Sequence, residues 1–104
     1  MQNIVNIIKK INRLIKDNYS GFKGVYLYGS FARGENRADS DIDIAAIFPA
    51  PLILSERMKL WELISKIEAE YNIILDIHPM SDKELEKNPV FYNQIVNKGI
   101  FYGA

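Results

Sequence analysis

The chain has 104 residues, 48% of them apolar, and its 13 basic and 13 acidic side chains cancel to a formal net charge of zero. This composition argues against intrinsic disorder, and the length predicts one domain over residues 1–104 built on a single core. The balanced charge implies no bulk attraction to nucleic acid or to an acidic membrane, and the absence of cysteine removes disulfides, thiolate catalysis and Cys-based zinc sites.

In chain order, Ile4, Ile7, Ile8, Ile11, Leu14 and Ile15 recur at helical spacing and predict an amphipathic helix over residues 2–18 with a core-facing stripe. This segment lacks the unbroken apolar run of a signal peptide, and no stretch is long enough to span a membrane. The expected location is the cytoplasm. Residues 24–28, GVYLY, read as a strand ended by Gly29-Ser30, with FARG as a short helix after it. DIDIAAIF, residues 41–48, alternates with period two and reads as a second strand. Met58, Leu60, Trp61, Ile64, Ile67 and Tyr71 mark a helix over 55–71, with Trp61 assigned to the core.

NIILDIHP predicts a third strand stopped at Pro79. Ser81 and Glu84 have capping-box spacing, and Asn88-Pro89 opens a last short helix through Phe91, Ile95 and Val96, stopped by Gly99. The order α-β-(α)-β-α-β-α predicts an α/β or α+β protein, a small mixed sheet flanked by helices. Phe91, Tyr92, Phe101 and Tyr102 either pack locally or form a partner surface.

The anomaly is a pair of like charges in an apolar strand. Alternation places Asp41, Asp43 and Ala45 on one face, with Ile42, Ile44 and Ala46 on the other. Two positions along a strand span about 6.6 Å, which leaves room for two cations about 3.5–4 Å apart. In the third strand Asp76 and His78 share a face, and Asp76 completes a three-carboxylate cluster if the two strands are neighbours. Such a cluster repels itself unless hard cations hold it, and oxygen-only ligation favours Mg²⁺ or Mn²⁺ over zinc. Ahead of it, Gly29-Ser30 offers backbone N–H groups and a hydroxyl to phosphate oxygens. A phosphate grip beside paired metal ligands points to phosphoryl or nucleotidyl transfer.

Gly29-Ser30, ten intervening residues, then Asp41-Ile42-Asp43 resembles the GS-x10-D-x-D signature of the DNA polymerase β-like nucleotidyltransferase superfamily. Arg33-Gly34 and Ser40 match its usual elaboration, and Asp76 matches the distal carboxylate. The small size resembles the minimal nucleotidyltransferases, the antitoxin partners of HEPN-domain ribonuclease toxins, over nearly the whole chain. This resemblance implies a polymerase β-like fold with the active site at one edge of the sheet. It implies that Gly29 and Ser30, with Arg33 as a further candidate, bind the nucleotide. It also implies that Asp41, Asp43 and Asp76 are the catalytic residues and ligate two Mg²⁺ ions, with Mn²⁺ as a substitute. The implied reaction moves AMP from ATP to a tyrosine of the toxin, with no membrane and no direct nucleic-acid partner. Two alternatives stand beside it: an antitoxin that neutralises its toxin by occlusion alone, and a transferase acting on a small molecule or an RNA end.

Other residues are read more plainly. His78, a lone histidine before a proline at a strand end, is read as structural and left off the site. Arg37 is read as solvated, and Tyr26 and Tyr28 as packing residues.

Overall fold

The computed structural model describes residues 3–30, 32, 34 and 41–104. Asn3 opens the first helix by accepting hydrogen bonds at its side-chain oxygen from Val5 N–H (3.0 Å) and Asn6 N–H (3.4 Å), which satisfies donors that a helix start leaves open. Helix α1, Ile4–Asn18, then buries Ile7, Ile8, Ile11 and Ile15, the stripe expected from its spacing.

Four strands form one sheet: β1 (Gly24–Tyr28), β2 (Ile42–Phe48), β3 (Leu75–Ser81) and β4 (Ile100–Gly103), in the order β3-β2-β1-β4. Strand β1 runs antiparallel to both β2 and β4, whereas β2 and β3 are parallel. A parallel pair needs a crossover, and helix α2, Leu54–Tyr71, provides it. The sheet is therefore mixed, as expected.

Period-two alternation divides β2 between two apolar layers. Ile42, Ile44, Ala46 and Phe48 face the larger core beneath α1 and α2, whereas Ala45 and Ile47 face a smaller one. That smaller layer is closed by Leu85 of helix α3 (Asp82–Glu86) and by Ile95. Ile95 lies in the π-helical turn Asn93–Asn97 that continues helix α4, Pro89–Tyr92. The expected capping box is present: Ser81 N–H donates to Glu84 Oε1 (3.0 Å) and Glu84 N–H to Ser81 Oγ (3.2 Å).

Three expectations are corrected. Strand β3 starts at Leu75 because Asn72, in the left-handed region at φ 53°, caps α2 and turns the chain. It also continues through Pro79 to Ser81, which its position at the sheet edge permits. Strand β4 was not anticipated. Trp61 and Met58 are 48% and 58% exposed and lie outside the core, where Leu60, Leu63, Ile64 and Ile67 carry the buried face of α2. Among the described residues no helix is long and apolar enough to cross a membrane.

Candidate active site

The acidic residues converge because of strand register. Tyr28 lies opposite Asp43 across the β1–β2 pair, and across the β2–β3 pair Asp43 lies beside Asp76 and Ala45 beside His78. All of these side chains emerge on the face of the smaller core. The peptide group that leads into Asp76 is tied down at both ends: Leu75 N–H donates to Glu68 Oε2 of α2 at 2.9 Å, and Ile42 N–H donates to the Ile74 carbonyl at 3.0 Å. The adjacency of Asp43 and Asp76 is thus a product of backbone pairing rather than of side-chain reach.

Asp43, Asp76 and His78 each offer a ligand atom, and these atoms all lie within 4.8 Å of one another. His78 Nε2 is 3.2 Å from Asp76 Oδ2. Its imidazole ring is flanked by Tyr28 and Phe91, each with its centroid 6.3 Å away, and those two rings meet edge to face at 5.9 Å. His78, left off the site by sequence reasoning, therefore belongs to it in space. The alternation Asp76-x-His78 carried the signal, because both residues share one strand face.

Burial raises the pKa of Asp43, and the charge of Asp76 and a hydrogen bond shared with it raise it further. His78 opposes this rise and Asp41 adds to it. The phenol of Tyr28 is held well above its ordinary value of 10.0, first by burial and then by the charges of Asp43 and Asp76. Two carboxylates packed together, Asp43 partly buried and Asp76 exposed, beside one imidazole form a donor set that a divalent cation fits and relieves.

Gly29 adopts φ +74°, in the left-handed region, and a β-carbon there would lie 2.3 Å from Asp43 Oδ2. The Asp43 carboxylate thus occupies the room that a side chain at position 29 would take, which brings the Gly29-Ser30 turn directly against the acidic cluster. Asp41 stands exposed just ahead of β2. It is close enough to influence Asp43 but does not join the group of three converging ligand atoms. Arg33, together with Arg37 and Ser40, lies outside the described residues.

Beside the cluster, a groove of about 400 Å³ runs along the outer edge of β3, lined by Leu54, Arg57, Trp61, His78, Glu84 and Phe91 among others. A second cavity of about 470 Å³ lies at the opposite end of β2, next to Phe48 and Pro49, and contains none of the candidate site residues.

A family model for the nucleotidyltransferase domain matches residues 8–102. The chain belongs to that family. This nucleotidyltransferase is 30% identical over 101 residues to a proposed protein adenylyltransferase of Methanocaldococcus jannaschii, covering 93% of this chain and 96% of that one. It is 29% identical over 90 residues to the protein adenylyltransferase MntA of Shewanella oneidensis, covering 86% of this chain and 60% of MntA's length. Among solved structures, a toxin–antitoxin complex with AMP-PNP superposes with a TM-score of 0.69 at 30% identity, over 92% of this chain and 73% of that one. The MNT antitoxin complex with a tri-AMPylated Shewanella oneidensis HEPN toxin gives a TM-score of 0.61 at 26% identity, over 96% and 72%. The nucleotidyltransferase fold and the minimal-nucleotidyltransferase relationship read from the sequence are both borne out.

Proposed function

We propose that this nucleotidyltransferase transfers AMP from ATP to a tyrosine hydroxyl of a HEPN-type toxin and so acts as that toxin's antitoxin. The observation that carries the reading is the register that sets Asp43 beside Asp76 with the Gly29-Ser30 turn packed against them. The relatives named as protein adenylyltransferases, and the related antitoxin complexed with an AMPylated toxin, support the acceptor and the partner.

In this reading the Gly29-Ser30 turn grips the triphosphate through backbone N–H groups and the Ser30 hydroxyl. Asp43 and Asp76, with Asp41 at the mouth, would hold the divalent cations. When bound, these ions supply neutralisation of phosphate charge and a better pyrophosphate leaving group. The acceptor hydroxyl would approach in line with the α-phosphorus, and its proton would pass to a carboxylate oxygen, a role this reading assigns to Asp76. The oxygen–phosphorus bond to the acceptor forms as the bond to the bridging oxygen of the β-phosphate breaks, releasing pyrophosphate. Arg33 is assigned a supporting contact to phosphate on the motif alone.

Label position tests the reaction type. Incubation with the proposed HEPN-type toxin partner, a divalent cation and ATP labelled at the α-phosphate should label the toxin, whereas γ-labelled ATP should not. Asp43→Asn or Asp76→Asn should lower the rate by about 10²-fold or more. Transfer of the γ-label would contradict nucleotidyl transfer. Equal neutralisation of the toxin by wild type and both variants, without label, would leave occlusion as the function.

A further inference from the structure

The geometry points to His78 as a protein ligand of the catalytic cation, making an Asp43–Asp76–His78 site that prefers a transition-metal divalent ion such as Mn²⁺ over Mg²⁺. The inference rests on the reading that Asp43 and Asp76 hold that cation, and it adds a nitrogen donor to a site that the sequence motif presents as all-oxygen.

Three observations carry it. First, register fixes the placement. His78 is two residues beyond Asp76 on the same face of β3, and its strand partner Ala45 is two residues beyond Asp43 on β2. The small side chain of Ala45, fully buried, leaves the space above it to the imidazole rather than competing for it. Second, the spacing suits one ion. With bonds of about 2.1 Å, neighbouring ligands of an octahedral ion lie about 3.0 Å apart and opposite ones about 4.2 Å. The His78 Nε2 to Asp76 Oδ2 separation, 3.2 Å, already matches a neighbouring pair, and the remaining separations lie within 4.8 Å. Closing the widest by about half an ångström is within ordinary side-chain adjustment. Third, two aromatic rings border the imidazole. Tyr28, 7% exposed, and Phe91 lie beside it, while its side chain stays 41% exposed, which narrows its rotamers towards the cluster and leaves Nε2 open to an ion from solvent.

Ligand type then sets the preference. Mg²⁺ demands oxygen donors and gives up its waters reluctantly, whereas imidazole nitrogen suits first-row transition ions. Replacing one oxygen donor by nitrogen therefore raises Mn²⁺ affinity relative to Mg²⁺. A hydrogen bond from His78 that merely orients Asp76 would leave the ion's first coordination sphere all-oxygen and give no such bias.

The test uses the untagged full chain with Mn²⁺ alone, without nucleotide. His78 is the only histidine in the sequence, so any histidine ¹⁴N coupling to bound Mn²⁺ in pulsed electron paramagnetic resonance reports this residue directly, with no variant needed. The expected result is a clear ¹⁴N modulation and Mn²⁺ binding at least about tenfold tighter than Mg²⁺. His78→Gln, whose folding is checked by its thermal transition, should lose the modulation and weaken Mn²⁺ by about tenfold or more while changing Mg²⁺ by less than about threefold. Mn²⁺ binding that Asp43→Asn abolishes but that shows no ¹⁴N modulation overturns the assignment of His78 and leaves the carboxylate site standing. Mn²⁺ binding that is absent, or indifferent to Asp43→Asn, overturns both.

Discussion

Gly29 and Asp43 exclude one another's alternatives: a β-carbon on residue 29 would sit 2.3 Å from Asp43 Oδ2, and the backbone there has φ +74°. The glycine that ends the first strand and the carboxylate that opens the second are thus one structural unit. Gly29→Ala is expected to displace the carboxylate and to add backbone strain of about 1 kcal/mol. Divalent-cation affinity should fall by about tenfold or more while the circular dichroism spectrum stays native. Unchanged cation affinity would show that the close approach does not shape the site.

Asp43 gives the metal-free protein a pH dependence of defined sign. Its pKa in the folded state is raised above the ordinary 3.8, first by burial and then by Asp76. The native state therefore binds this proton more tightly than the unfolded chain does, and stability falls as pH rises from about that ordinary value through the raised one. At neutral pH the ionised carboxylate is a net liability. Asp43→Asn should have the higher Tm at pH 7 in chelator, with the gap closing as pH falls through the raised value towards 3.8. Saturating divalent cation should reverse the order, since ligand at a hundred times Kd adds about 2.7 kcal/mol to a protein that can bind it. A variant less stable than wild type in chelator would contradict this account.

The protein's one tryptophan offers an optical check of the α2 surface. Trp61 is 48% exposed and lines the groove beside His78. Its emission should be red-shifted and readily quenched by iodide. Trp61→Ala should cost no more than about 1 kcal/mol, against about 3–5 kcal/mol for a buried tryptophan. Blue-shifted, shielded emission would place Trp61 back in the core.

Ile44 tests the opposite face of the same strand. It is fully buried between α1, α2 and the sheet, one residue from Asp43 but pointing away from it. Ile44→Ala should destabilise by about 2–5 kcal/mol in urea unfolding. A loss below about 1 kcal/mol would mean that the alternation of β2 is misassigned.

The parts of the fold legible in the sequence are those with a strong period or a cap. The isoleucine stripe of α1, the alternation of β2 and the Ser81–Glu84 box each carried enough local information to place their element. Strand β4 did not. Ile100 and Phe101 are 44% and 49% exposed at the sheet edge, so no buried–exposed alternation marks the strand, and only its pairing with β1 defines it. Trp61 was misplaced because an apolar residue next to Leu60 on a helix is turned about 100° from it and need not share its burial. At the site, the strand faces of Asp43 and Asp76 were readable, but their adjacency needed the parallel β2–β3 register. The role of His78 was hidden for the same reason: one histidine before a proline carries no signal until the neighbouring strand is known.

The central claim is that the cluster built on Asp43 and Asp76 moves AMP onto a partner protein. Intact-mass measurement of the proposed HEPN-type toxin partner, after incubation with ATP, divalent cation and this protein, tests it most directly. The account predicts mass increments of whole AMP units on the toxin, absent with the Asp43→Asn/Asp76→Asn double variant and accompanied by loss of toxicity. An unmodified toxin that wild type and double variant inhibit equally would contradict it.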